Sequence, residues 1–293
     1  MRILLFLLTN LAILLVVSVV FNVLGISGIL DSQGINLNLN ALLVMSAVIG
    51  MTGSFISLML SKFLAKRAMG VQIIGEPSNS AEQWIVRTIQ RQARDAGIGM
   101  PEIGVFESPD PNAFATGMNK NNALVAVSTG LLSNMDQDEV EAVIGHEITH
   151  VANGDMVTLA LIQGVVNTFV YFLASVIGYV VDRVVFKNER GVGMGYYLTQ
   201  MLAQILLGIL ATMIVMWFSR QREFHADAGG AKLAGRGKMI SALQALQRAH
   251  EPQPLPGEFA AFGIHGGFAD GFRKLFMSHP PLEARIEALR RAQ

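Results

Sequence analysis

The chain has 293 residues, room for one ordinary domain or for a small domain with membrane segments, and 52% of them are apolar against 15% charged. Soluble domains carry roughly 25% charged residues, so this deficit points to lipid. Its 22 Lys and Arg balance 22 Asp and Glu, which removes the basic surplus of a nucleic-acid binder, and the lack of cysteine excludes a disulfide scaffold and leaves His, Asp, Glu or water to build any metal site.

Residues 3–24 make the first apolar run, broken only by Thr9, Asn10, Ser18 and Asn22. The run is too long for a signal h-region and lacks a clear small-x-small cleavage site, so it reads as an uncleaved anchor although Arg2 precedes it. Residues 39–60 form a second run without charge, followed by Lys62, Lys66 and Arg67. Over 80–96, Trp84, Ile85, Thr88, Ile89 and Gln92 recur at helical spacing, and Gly97 suits the C-cap. Residues 102–107 and 123–129 read as short strands, with 112–117 as a third. Asp136 followed by Glu139 is a capping-box signature opening a helix over 136–153, with Val140, Val143 and Ile144 on its buried face. A third charge-free run covers 157–181, and a fourth, 196–218, has Gln200 and Gln204 as its most polar members. Helices are expected from Glu223 to Ala234, with Gly235 near the stop, and over 239–248 and 282–290; the Pro- and Gly-rich stretch 251–271 reads as a loop.

Each of the four runs is long enough to cross a hydrocarbon core of about 30 Å as a helix. Arg2, the Lys62–Lys66–Arg67 group and the Arg220–Arg222 pair place both termini and the middle segment on the cytoplasmic side, while loop 25–38 holds no Lys or Arg. Loop 182–195 breaks the pattern: Arg183, Lys187 and Arg190 would lie outside, diluted by Asp182 and Glu189. An alternative makes the third and fourth runs a buried hairpin that does not fully cross.

His146-Glu147-Ile148-Thr149-His150 is an H-E-x-x-H sequence. Residues four apart share a helix face, so both imidazoles can reach one metal ion, and Glu147 stands beside it, where it can meet a bound water. A catalytic zinc needs a third protein ligand. Glu223 is the best candidate, and Asp227 stands four residues on: one carboxylate can bind the metal while the other steadies a ligand histidine through its free ring N–H. Alone, these acids would read as an exposed face balanced by Arg220 and Arg222. The chain between explains how the halves meet, because the fourth run returns to the same membrane face five residues before Glu223. His225, His250 and His265 lack partners at ligand spacing and read as surface or packing residues. Gly191-Val192-Gly193-Met194-Gly195 lacks the strand before it and the Lys-Ser/Thr after it that a phosphate loop needs.

Several stretches together carry a resemblance. They are Pro111-Asn112-Ala113-Phe114-Ala115, Val127-Ser128-Thr129-Gly130-Leu131, the His146 helix through Asn153-Gly154-Asp155, Arg222 to Asp227, and Ser278-His279-Pro280-Pro281 with Arg285. Over nearly its whole length the chain resembles the HtpX family of bacterial heat-shock proteases, gluzincins related to the CAAX prenyl-protein endopeptidases. The resemblance implies an α+β membrane protein with four transmembrane helices and a cytoplasmic, gluzincin-like zinc protease domain holding a small β-sheet. Its parts would be 1–60 (two transmembrane helices), 61–156 (first catalytic half), 157–218 (transmembrane hairpin) and 219–293 (second catalytic half). It implies a metalloendopeptidase with one Zn2+ per subunit, acting under stress on damaged or misassembled proteins of the bacterial inner membrane, with lipid around it and no nucleic-acid partner. By the same resemblance Asp227 would hold the ring of His146. Asn112 and the strand residues Val125, Ala126 and Val127 would present backbone groups to an extended substrate, His279 would face the zinc as a second electrophile, and Arg285 would bind substrate. Plainer readings exist: His279 before two prolines can cap the closing helix, and Arg285 can pair with a nearby acid.

Two rivals stand beside this reading. An intramembrane zinc protease would carry its motif inside a membrane helix, but Asp136, Asp138, Glu139, Glu141 and Asp155 flank this one. A transport or assembly protein with structural zinc would leave no open coordination position, and Glu147 would then have no role.

Overall fold

A computed structural model describes residues 37–188, 191–250 and 278–292, with Leu15 and Val19. The first apolar run, those two residues apart, and the loop expected over 251–271 with His265 lie outside the described residues. In chain order the elements are α1 (Leu39–Met69), β1 (Gln72–Ile73), α2 (Ser80–Asp95), β2 (Glu102–Phe106), β3 (Ala113–Asn119), β4 (Asn122–Ser128), α3 (Thr129–Asn134), α4 (Gln137–Asn153), α5 (Asp155–Val184), α6 (Met194–Ala234), α7 (Arg236–His250) and α8 (Leu282–Arg291). They fall into two compact units, Met1–Ser57 with Ala160–Val215, and Leu58–Leu159 with Met216–Gln293.

Among the described residues three helices, α1, α5 and α6, are long and apolar enough to cross a membrane, at 31, 30 and 41 residues. The fourth apolar run and the helix expected beyond it are one continuous helix, α6, because Ser219-Arg220-Gln221-Arg222 contains no Gly or Pro to break it.

In the first unit glycines let α1 and α5 approach. A Cβ on Gly50 would meet the Thr168 nitrogen at 2.6 Å, and one on Gly164 would meet Met51 Sδ at 2.8 Å. Small residues make such contacts where lipid supplies no hydrophobic drive between helices. Gln200 donates to Ser175 Oγ at 2.8 Å, so one polar residue of α6 is satisfied by one of α5. Asp182 is 2% exposed and accepts from Gly193 N, Tyr196 N and Asn188 Nδ2, while Arg183 Nη1 donates to Asn188 O. Two charges of the loop that breaks the orientation pattern are thus consumed in closing it.

The second unit holds a four-stranded sheet in the order β1-β2-β4-β3, with β2 and β4 parallel and the other pairs antiparallel. β4 is interior: Ala126 stands opposite Gly104 on one side and Phe114 on the other. Neither β1, only two residues long, nor the one-and-a-half-turn α3, capped by Ser128 Oγ on Leu131 N, shows a readable period. The core joins Ile85 and Ile89 of α2, Val125 and Val127 of β4, Val140, Ile144 and Ile148 of α4, Met239 and Leu243 of α7, and Ile286 and Leu289 of α8. α4 packs against β3, β4, α2 and α7, and α8 packs on α7. The acids of α4 tie it in place. Lys238 Nζ donates to Glu141 Oε2 at 2.7 Å, Arg91 Nη2 donates to Glu141 Oε1, and Ser241 Oγ donates to Glu139 Oε1 at 2.8 Å.

Candidate metal centre

Both ends of α4 are locally determined. Asp136 Oδ1 accepts from Glu139 N at 2.8 Å and Glu139 Oε2 accepts from Asp136 N at 3.2 Å, a complete capping box. At the other end Gly154 takes the left-handed conformation, φ 65° and ψ 37°, and its N–H meets the carbonyls of His150 and Val151. Glycine adopts that conformation without Cβ strain. Just beyond this turn Asp155 Oδ2 lies 2.7 Å from His150 Nδ1.

α6 brings the second half of the site. Glycines let it press against α4: a Cβ on Gly230 would lie 2.9 Å from the His146 nitrogen, and one on Gly229 would lie 2.2 Å from Thr149 Cγ2. At that crossing Asp227 Oδ1 stands 3.0 Å from His146 Nδ1. With each Nδ1 engaged on a carboxylate, each imidazole keeps Nε2 for another partner. The two Nε2 atoms are 3.1 Å apart, and Glu223 places Oε2 at 3.5 Å from His146 Nε2 and Oε1 at 3.4 Å from His150 Nε2. One donor atom from each of His146, His150 and Glu223 lies within 4.8 Å of the others, so these three could hold a metal ion.

The residues fit such an ion. Ligands ~2.1 Å from a tetrahedral centre stand about 3.4 Å apart, close to the three separations just given. Oε2 of Glu223 is buried and receives no hydrogen bond of good geometry, although His279 Nδ1 and Arg285 Nη1 lie 2.7 and 3.2 Å from it. A buried carboxylate oxygen without a well-directed donor is costly, and an ion held with the two Nε2 atoms would satisfy it.

The electrostatics point the same way. Burial disfavours charge on His146, but Asp227 and Glu223 overcome it and raise the pKa. Burial also opposes charge on His150, yet Asp155 and Glu223 push its pKa up to about 10. Burial alone would raise Glu223; His146, His150 and His279 hold it well below the usual carboxylate range instead. Asp227 is likewise held low, against burial, by Arg285 and His146. The raised histidines and lowered carboxylates together describe a tightly paired buried cluster, in which imidazole and guanidinium groups face carboxylates. A divalent ion held at the Nε2 atoms would take the place of the imidazole protons there.

Glu147, half-buried, lies one residue past His146, and its charge is felt at His146, His150 and Arg285. The His279 side chain is 60% exposed and, among the described residues, meets the site through Glu223. His225 is exposed, its Nδ1 3.0 Å from Gln221 O.

Three sequence expectations change. Val125, Ala126 and Val127 are 0% exposed and paired on both sides, so their backbone groups cannot receive a substrate. Asn112 is exposed, but its N–H donates to Ser128 Oγ at 2.9 Å and its carbonyl accepts from Ser128 N at 2.8 Å, so its backbone is also engaged. Arg285, expected at the substrate, is 5% exposed and turned onto Asp227 and Glu223. Sequence reasoning also missed Asp155 as the partner of His150, and Arg222, whose Nη1 donates to Asp155 O at 2.7 Å. The signal was present: a C-capping glycine followed at once by an acid.

Residues 79–293 match Peptidase family M48. A protein named Protease HtpX from Thioalkalivibrio sulfidiphilus is 66% identical over 292 residues, covering 100% of this chain and 99% of its own. A Protease HtpX homolog from Nitrosomonas europaea is 62% identical, covering 99% of each chain. Among solved structures, S. mikatae Ste24p shares the fold at a TM-score of 0.60 and 20% identity, over 93% of this chain and 66% of that one. By these matches the chain belongs to peptidase family M48 and is a membrane metalloprotease.

Proposed function

We propose that the chain is a zinc endopeptidase of the bacterial inner membrane that cleaves damaged or misassembled membrane proteins at the cytoplasmic face under stress. One observation carries the reading: each histidine of the H-E-x-x-H pair has its own carboxylate on Nδ1 while both Nε2 atoms converge with Glu223. His146, His150 and Glu223 would hold one zinc ion. Asp227 fixes the ring of His146 and Asp155 that of His150, so that Nδ1–H donates to the acid and the Nε2 lone pair is left for the ion. Bound there, the ion would supply Lewis acidity that activates a water at neutral pH and polarises a carbonyl oxygen.

The chain's own residues do the rest. Glu147 accepts the water proton as its oxygen attacks the peptide carbon, then returns it to the leaving amine. His279, whose Nδ1 lies 2.7 Å from Glu223 Oε2, donates through Nε2, which has no partner among the described residues, to the carbonyl oxygen as it gains negative charge. β3 is an edge of the described sheet, so an extended substrate adds along Ala113–Asn119, with the exposed Asn112 side chain at its start.

The first apolar run adds a fourth span. The basic groups after the apolar parts of α1 and α6 keep the catalytic half in the cytoplasm. The acids of α4, matched to Lys238, Arg91 and Ser241, favour an aqueous setting over an intramembrane one. The test is casein digestion by the full chain in detergent, with and without a chelator. Glu147→Gln is expected to keep one zinc per subunit and lose cleavage by roughly 10²–10⁴-fold. Glu223→Ala is expected to lose the zinc. A fully active Glu147→Gln, or unchanged zinc in Glu223→Ala, refutes the assignment.

A further inference from the structure

A guanidinium at 5% exposure is an unusual place for a charge, and α8 puts one there. Ile286 and Leu289 sink the same helix into the core, and Gln247 Nε2 donates to Glu283 Oε1 at 2.7 Å near its start, so the backbone at 285 is fixed. Burying a cation is costly unless it is paired with good geometry. Arg285 Nε donates to Asp227 Oδ2 at 2.8 Å and Nη2 to Asp227 Oδ1 at 2.6 Å, a two-pronged fork on one carboxylate. Its third nitrogen, Nη1, lies 3.2 Å from Glu223 Oε2. Nη2 also comes within 3.5 Å of His146 Nδ1.

The position of the fork matters because Asp227 Oδ1 is shared. It receives Arg285 Nη2 and also faces His146 Nδ1 at 3.0 Å. A carboxylate gripped at both oxygens cannot rotate, so Oδ1 stays where the His146 ring needs it. Glu223 and Asp227 are four apart on α6, a spacing at which like charges repel. The guanidinium touches both and offsets that repulsion.

We propose that Arg285 is a positioning residue of the metal centre: it locks Asp227, and through Asp227 the His146 ring, and thereby sets the affinity for zinc. The inference rests on the metal assignment above. Lysine keeps the charge but cannot form the fork, so charge alone does not substitute for it.

The experiment uses the full chain in detergent. Zinc affinity is read by competition with a chromogenic chelator, and KM and kcat are read on casein at saturating zinc. Arg285→Lys is expected to weaken zinc binding by roughly 10–100-fold with KM unchanged once zinc is saturating. Asp227→Asn is expected to do the same. The double variant should be no weaker than the worse single by more than about twofold, because both act through one contact. Wild-type zinc affinity in Arg285→Lys overturns the inference. So does a raised KM with unchanged zinc affinity, which would mean direct substrate contact, and so does full additivity in the double variant. His146→Ala separates the two levels. If it keeps its zinc, the metal assignment itself fails; if it loses zinc while Arg285→Lys binds normally, only the role of Arg285 fails.

Discussion

Gly229→Ala tests whether the crossing of α4 and α6 builds the metal site. The added Cβ would stand 2.2 Å from Thr149 Cγ2, 2.5 Å from Oγ1 and 2.9 Å from Cβ. Carbon atoms in contact prefer about 3.5–4.0 Å, so the deficit is at least ~1 Å. Thr149 has little freedom to yield. It is β-branched, 8% exposed, and its hydroxyl donates to Gly145 O at 2.7 Å. The helices must separate instead, and Glu223 and Asp227 move with α6. Metal ligands tolerate displacements of only about 0.2 Å. Overpacking of this kind costs about 1–3 kcal/mol, and the same energy taken from zinc binding is roughly a 5–150-fold loss of affinity. Chelator competition in detergent measures it. Thr149→Ala removes the two nearest atoms and should restore part of the affinity to the double variant. Gly237→Ala, where an added Cβ meets nothing within 4 Å, should leave zinc binding at the wild-type level. If Gly229→Ala binds zinc as tightly as the wild type, the crossing does not position the ligands and the reasoning is wrong.

Asp155→Ala should weaken zinc binding by roughly 10–100-fold through loss of the His150 anchor, read by the same competition; unchanged affinity would leave Asp155 a helix-start residue only. Zinc removal should lower the melting temperature, since an ion at a hundred times its Kd stabilises by about 2.7 kcal/mol, or roughly 5–10 °C, and Glu223→Ala should show no response to chelator. Glu102 tests a different link, between the end of α1 and the sheet. Lys62 and Lys66 hold its carboxyl below the ordinary 4.5. A carboxyl lowered on folding contributes stability that is complete above the unfolded value and vanishes as pH falls through the folded one. Glu102→Gln should therefore melt lower than wild type at pH 7, by no more than about 1 kcal/mol for so exposed a pair, and the gap should close as pH drops below 4.5. A gap independent of pH would assign the effect to packing.

What could be read from the chain follows from the range over which each feature is encoded. The two histidines and Glu147 occupy five consecutive residues of one capped helix, so helical geometry alone brings them together. Glu223 and Asp227 were legible for the same reason, one helical turn apart on α6. The resemblance implied that Val125, Ala126 and Val127 present backbone groups to a substrate, and the interior place of β4 overturns it, because strand order depends on distant partners. Its run Ala123-Leu124-Val125-Ala126-Val127, apolar without alternation, is nevertheless the pattern of a strand buried on both faces. Arg285 was harder. On an exposed helix the same residue would be a solvated charge, and only the packing of Ile286 and Leu289 decides that it turns inward. The charge balance of the site has the same character. Glu223, Asp227 and Asp155 face His146, His150 and Arg285, and four separate segments supply the participants: α4, the start of α5, α6 and α8. Ligands can be named from spacing within one helix. The pairing that steadies those ligands arises only where the segments meet, because burial strengthens each contact between a carboxylate and the cation or imidazole beside it.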